Sequence, residues 1–199
     1  MCLGHLPSYT RAMIVGIDEV GRGCWAGPLV AGAVVLNTDI AGLKDSKKLS
    51  RLQRERLTLE IEASGAAIGL GWVTPAEIDE VGLTQAVRLA MERALDALLP
   101  GYERVIIDGN FNFLAHRPGT QAVIKADDSV PAVSAASIVA KVARDNYMNE
   151  QALMYPGYGF ESHVGYGTAA HLQALKTRGV TPLHRLSFKP LQRLERQVL

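Results

Sequence analysis

The chain has 199 residues, enough for one domain with a buried core, and its 48% hydrophobic and 21% charged content excludes a disordered or fibrous protein. A formal net charge of +1 excludes a polycation that binds through bulk charge. No run approaches the ~18 uninterrupted apolar residues of a membrane span, and the opening MCLGHLPSYTRA lacks the apolar stretch of a signal peptide, so a cytoplasmic protein without membrane contact is expected.

Met13 to Asp18 reads as a first strand, and Leu29 to Leu36 (LVAGAVVL) as a second. Neither alternates with polar residues, as suits strands buried on both faces. A helix follows from the capping-box form of Ser50-Arg51-Leu52-Gln53, with Leu52, Leu57, Leu59 and Ile61 continuing an apolar face. Ala66 to Val73 is a third strand, and Thr74-Pro75-Ala76-Glu77 opens another helix with proline at its first position. Val87, Met91, Ala94, Leu95 and Leu98 form a helical stripe ended by Pro100-Gly101. Arg104 to Asp108 and Gln121 to Lys125 are the fourth and fifth strands.

A longer helix begins near Pro131, and its small residues (AVSAASIVAKVA) suit close approach to a sheet. A last helix runs from about Thr168 to Arg178 and stops at Gly179, and the tail holds Pro182, His184 and Pro190. The order predicts an α/β fold with a mixed sheet whose first strands form a meander, and helices after Pro131 that pack on the sheet or cap it. Cys2 and Cys24 are the only cysteines, and a structural disulfide is not expected. From Tyr155 onward there are six Lys or Arg against two Asp or Glu, a mild positive patch that fits a polyanionic partner.

Asp18 and Glu19 stand side by side within GIDEVGRG, where like charges repel unless something pairs them. Asp108 closes the fourth strand, and Asp127 and Asp128 follow the fifth, so four acids can converge at the carboxyl ends of neighbouring strands. Side chains alternate along a strand, so Asp18 and Glu19 share an ion only if the strand ends or bends there, a freedom Gly21 and Gly23 supply. Hard oxygen ligands without cysteine suit Mg²⁺ or Mn²⁺, two of which serve phosphoryl transfer. The competing reading is an ion pair with Arg22. Gly21-Arg22-Gly23 lets backbone N–H groups approach a phosphate or sugar, and it lacks the Gly-Lys-Ser/Thr ending of a nucleotide phosphate loop.

Six blocks in register carry a resemblance: GIDEVGRG with CWAGPLVAGAVVL, DSKKLS, IIDGN, SAASIVAKVARD, YPGYGFESHVGYGT and HRLSFKP. Together they resemble bacterial ribonuclease HII over nearly the whole chain. The resemblance implies a ribonuclease H-like three-layer fold, with a central mixed five-stranded sheet flanked by helices. Residues 1–199 would be one catalytic domain, with about 155–199 as a helical cap on the substrate. It implies a monomeric, metal-dependent endonuclease for RNA–DNA hybrids and for DNA duplex containing single ribonucleotides. Cleavage would fall 5′ of the ribonucleotide and leave a 3′-hydroxyl and a 5′-phosphate.

The metal-holding acids carry over onto Asp18, Glu19, Asp108 and Asp127, the last on register against Asp128, with Ala126 where the family has glycine. The substrate-sensing turn falls on Gly21, Arg22 and Gly23, and the sugar-stacking tyrosine on Tyr166, with Val164 where the family often has lysine. Lys47 of DSKKLS would lie near the scissile phosphate. Arg185 and Lys189 are candidates for phosphate contacts, and Ser134, Ser137 and Lys141 share one helical face that either meets the acids or packs, the serines read as packing. His163 and His184 are candidate proton donors but are read as hydrogen-bonded structural histidines, and no histidine spacing supports a metal-independent catalytic pair. The C-terminal LQRLERQVL shows no sliding-clamp motif. The competing readings are a related nuclease needing several ribonucleotides or a junction, a silent hybrid binder, and a nucleotide-binding regulatory domain.

Overall fold

The computed structural model describes residues 13–98 and 102–198, with side chains through residue 194. The expectations on Cys2, the N-terminal dozen, Pro100-Gly101 and the last residues of the tail lie outside the described side chains. The five expected strands all form: β1 (Ile14–Val20), β2 (Leu29–Val35), β3 (Ala67–Val73), β4 (Arg104–Asp108) and β5 (Thr120–Val123). They make one sheet in the order β3-β2-β1-β4-β5. The β1, β2 and β3 meander is antiparallel, and β1–β4 and β4–β5 are parallel.

Helices cover both faces. α1 (Arg51–Ala63) and α2 (Pro75–Val81) each start at a complete capping box, on Ser50 with Gln53 and on Thr74 with Glu77. α3 (Leu83–Asp96) buries Val87, Met91, Ala94 and Leu95 against Val15, Ile17, Ala31, Ala33 and Val73. α4 (Ala126–Ser129) is a single turn that leads into α5 (Pro131–Met154), and α5 covers the opposite face of β1 and β2. A methyl group on Gly16 would collide with the backbone of Ala132 and Val133, and one on Gly32 with that of Ala136. The small residues of AVSAASIVAKVA therefore meet glycines on the sheet, and the helix seats directly on β1 and β2.

α1 packs on α5 through Leu57 and Ile61, in a cluster that also takes in Val34 of β2. Leu52 and Leu59, read from the sequence as part of that face, are exposed. Leu57 and Ile61 are four apart and share a face, whereas Leu59 lies two positions on and points away. After α5, the short helix α6 (Phe160–His163), α7 (Ala169–Arg178) and α8 (Lys189–Val198) complete the described chain. Ala26, Met148, Tyr158, Phe160, Ala174 and Leu183 form a separate small core there. The last helix placed from the sequence stops at Gly179, yet 189–198 is helical too. Pro190 sits in the first turn, where a missing N–H costs nothing.

Candidate active site

The site is built where the two sides of β1 stop matching. Pairing with β2 runs to Val20↔Val30, but pairing with β4 ends at Ile17↔Ile107. Asp18 and Glu19 therefore stand on a strand that is still extended but open along one edge. The expected end or bend at Asp18 does not occur. The two carboxylates leave opposite faces of β1, yet both line one cavity of about 270 Å³. Gly21, Arg22, Gly23, Lys47, Asp108, Ser137, Lys141 and Tyr166 line it too.

Asp18 is 7% exposed, and burial, followed by the charge of Glu19, pushes its carboxyl up to about 7. The Glu19 backbone N–H donates to Asp18 Oδ1 at 2.8 Å. Ser137 faces Asp18 and favours its ionised form, and its hydroxyl lies 2.9 Å from that of Ser46. Ser137 thus belongs to the site, which corrects its reading as packing. Burial also raises Glu19, opposed by Arg22, whose Nη1 lies 3.4 Å from Glu19 Oε1. The Arg22 ion pair is real but lies on an exposed side chain, and among the described residues Asp18 has no ion pair.

Asp108 Oδ1 accepts from the backbone N–H of Ala126 at 2.8 Å and from that of Asp127 at 3.4 Å. The Asp108 carboxylate thus sits at the start of α4 and ties the end of β4 to that turn. The left-handed residue here is Lys125 (φ 57°), so Ala126 is at ease in helical conformation. Asp127 is buried, and its carboxyl is raised by burial first and then by Asp108. It does not line the cavity of Asp18. It lines an adjoining groove of about 620 Å³ that Asp108 and Lys47 share, together with Asp45, Lys48 and Lys125. Asp128 pairs with Lys48, which lowers its carboxyl. Of the two neighbours, Asp127 has no such ion pair among the described residues, and Ser134 holds its backbone carbonyl at 2.6 Å.

Gly21 has φ +86°, a conformation natural to glycine, and a methyl group there would collide with Arg144. Gly23 has open space where a Cβ would stand, so it leaves the approach to the turn clear. Tyr166 is 41% exposed, with the Lys141 ammonium 6.0 Å from its ring centroid. Lys141 is paired with Asp145 at 2.8 Å.

One further expectation is corrected. Arg185 is fully buried and donates to Gly27 O and Arg22 O, so no phosphate can reach it. Lys189 remains exposed. His171 and His184 do form a pair, with Nε2 atoms 3.1 Å apart, although their spacing gave no hint of it. Both are buried and lie outside the carboxylate cavity, so the pair is structural, as His163 is.

Among the described residues, no three His, Cys, Asp or Glu side chains are close enough together to hold an ion as they stand. The donor chemistry nonetheless fits hard divalent cations. Asp18 is a desolvated carboxylate pressed by Glu19 and Asp108, and all the nearby donors are oxygens.

The mixed sheet with helices on both faces, and the acids collected at the open end of its central strand, define an α/β nuclease-type fold. A family model described as Ribonuclease HII matches residues 15–191. The chain is 48% identical to Ribonuclease HII of Nitrosococcus oceani over 186 residues, covering 90% of each. It is 45% identical to that of Shewanella halifaxensis, covering 96% of this chain and 91% of the relative. Among solved structures, ribonuclease H2 from Pyrococcus horikoshii superposes with TM-score 0.78 at 28% identity, covering 92% of this chain and 97% of that one. RNase HII of Archaeoglobus fulgidus, solved as a PCNA complex, gives 0.72 at 28% identity, covering 89% and 95%. Bst-RNase HIII, solved with Mn²⁺, shares the fold with TM-score 0.70 at 22% identity, covering 94% of this chain and 70% of that one.

The chain belongs to the ribonuclease HII family. It is a metal-dependent endoribonuclease of the ribonuclease H type, hydrolysing RNA in RNA–DNA hybrids.

Proposed function

We propose that this enzyme also cuts DNA duplex containing ribonucleotides on the 5′ side of a single embedded one, leaving a 3′-hydroxyl and a 5′-phosphate. One observation carries this reading. The carboxylates Asp18, Glu19 and Asp108 share a cavity with the Gly21-Arg22-Gly23 turn and with Tyr166. Chemistry and sugar reading therefore meet over one nucleotide. The turn offers backbone polar groups to the 2′-hydroxyl, the group that tells RNA from DNA. The Tyr166 ring packs on the next sugar, where a second hydroxyl would be crowded.

Asp18, Glu19, Asp108 and Asp127 would hold Mg²⁺ or Mn²⁺, two ions during turnover. Bound there, divalent cations supply Lewis-acid activation of water and neutralise charge developing on the phosphate. The chain's own residues do the rest. Ser137 steers the Asp18 carboxylate, the start of α4 orients Asp108, and Lys47, at the shared wall of cavity and groove, faces the phosphate that is cut. The 2′-hydroxyl is recognised and is not the nucleophile.

The whole chain would act as one catalytic unit, with residues from about 155 onward capping the substrate, as a monomer in the cytoplasm. None of the helices is long and apolar enough to cross a membrane among the described residues. Duplexes carrying one ribonucleotide, four ribonucleotides or none, each with Mg²⁺, Mn²⁺ or chelator, test the reading. Metal-dependent cleavage of the first two and not the third is expected. Cleavage of the four-ribonucleotide duplex alone would contradict it.

A further inference from the structure

Two arginines are fully buried, Arg144 and Arg185, and among the described residues neither forms an ion pair. A buried charge without a counter-ion is costly unless its donors are satisfied, so their contacts are informative. All of them are backbone carbonyls. Arg144 Nε donates to Pro28 O at 2.8 Å, Nη2 to Ala26 O at 3.0 Å, and Nη1 to Val164 O at 2.8 Å. One planar guanidinium thus joins the segment that follows the Gly21-Arg22-Gly23 turn to the segment that precedes Tyr166. The residues it joins are 118 and 20 positions away in the chain.

The seam is tight around that guanidinium. Trp25 N and Ala26 N both donate to Gly165 O, at 2.8 and 3.2 Å. Gly165 has φ +88°, and a methyl group there would collide with Ala26 O. A methyl group on Gly21 would collide with Arg144 itself. Val164, whose carbonyl Arg144 holds, sits at φ 43°, a strained place for a β-branched residue. Strain of this kind persists only where the surroundings over-determine the backbone.

We infer that Arg144 is a positioning residue for ribonucleotide discrimination: it fixes the spacing between the sugar-reading turn and Tyr166. The inference rests on the proposed reading of single ribonucleotides. Lysine in its place keeps the charge but cannot reach three diverging carbonyls with one fixed fork. The turn and Tyr166 then drift apart, while the carboxylates, which Arg144 does not touch, stay in place. Hydrolysis of a long RNA–DNA hybrid depends on the carboxylates and on many backbone contacts. Cleavage at a lone ribonucleotide depends on the spacing.

The test is kcat/KM of Arg144→Lys on a single-ribonucleotide duplex and on a duplex with a run of ribonucleotides, in one preparation of known melting temperature. Arg144→Gln, which brings no charge into the interior, serves if the lysine variant does not fold. The expected result is a loss on the single-ribonucleotide duplex about tenfold beyond any loss on the run, the worth of one charge-assisted hydrogen bond. On a Tyr166→Ala background the same substitution should add no further selective loss, because it acts through Tyr166. Equal losses on both substrates, or selective losses that multiply with Tyr166→Ala, would overturn the inference. Wild-type enzyme that leaves the single-ribonucleotide duplex uncut would instead overturn the functional reading on which it rests.

Discussion

Asp108 Oδ1 accepts a 2.8 Å hydrogen bond from the backbone N–H of Ala126, so one of the acids at the site also closes the fold around it. The two roles separate by substitution. Asn at 108 keeps an oxygen for Ala126 N but loses the charge. Ala leaves that N–H unpaired, at a cost of about 1–3 kcal/mol. Both variants should lose at least about 100-fold in kcat, and only Asp108→Ala should lose stability in urea unfolding.

Asp18 is the opposite case, a carboxylate that works against the metal-free fold. It is buried, pressed by Glu19, and pairs with no cation among the described residues. Asp18→Asn should abolish cleavage and yet melt no lower, and in fact higher, than wild type in chelator at pH 8. Adding Mg²⁺ should raise the melting temperature of wild type more than that of the variant, since a ligand stabilises only the state that binds it. A variant that melts well below wild type in chelator would contradict this.

Tyr166 is exposed at the cavity wall, and its loss should not disturb the core. Tyr166→Ala should lower single-ribonucleotide cleavage by about 10-fold or more, the worth of one sugar or base contact, while cleavage of a long hybrid changes little. Equal loss on the two substrates would remove Tyr166 from the sensing role.

The histidine pair makes stability depend on pH. Burial holds both His171 and His184 down to about 4, against 6.5 for a free histidine. The folded value lies below the unfolded one, so the unfolded chain binds more protons between pH 6.5 and 4. Stability is whole above 6.5 and is lost as pH falls toward 4, by about 3 kcal/mol for one such histidine. Asp18, raised rather than lowered, contributes with the opposite sign in the same window. Glu19 and Asp127 are raised as well, so the histidine contribution is the part of the urea-midpoint profile of the Asp18→Asn variant that His184→Asn removes, and it should fall between pH 7 and 5. A flat profile would mean that the pair is protonated without cost.

Much of this was legible in the sequence because it is local. Apolar runs marked the strands, and Ser50 and Thr74 announced helix starts that form as complete capping boxes. Asp18, Glu19 and Asp108 were readable because each sits at or near the carboxyl end of a strand, and parallel pairing of β1 with β4 brings those ends together. What the sequence hid is tertiary. Arg185 resembles any surface arginine until its guanidinium is seen to meet a carbonyl 158 positions away. Ser137 reads as packing until Asp18 is opposite it, and His171 and His184 meet only because α7 and the following turn fold back on each other. Leu52 and Leu59 misled because apolar residues on a surface helix need not share its buried face.

The central claim is that carboxylates and sugar-reading residues act over one nucleotide. Single-turnover cleavage of an end-labelled DNA duplex with one ribonucleotide, its product ends mapped chemically, tests it most directly. The account predicts one metal-dependent cut 5′ of the ribonucleotide, with a 3′-hydroxyl and a 5′-phosphate. A cut on the 3′ side, or a cyclic phosphate end showing the 2′-hydroxyl as nucleophile, would contradict it.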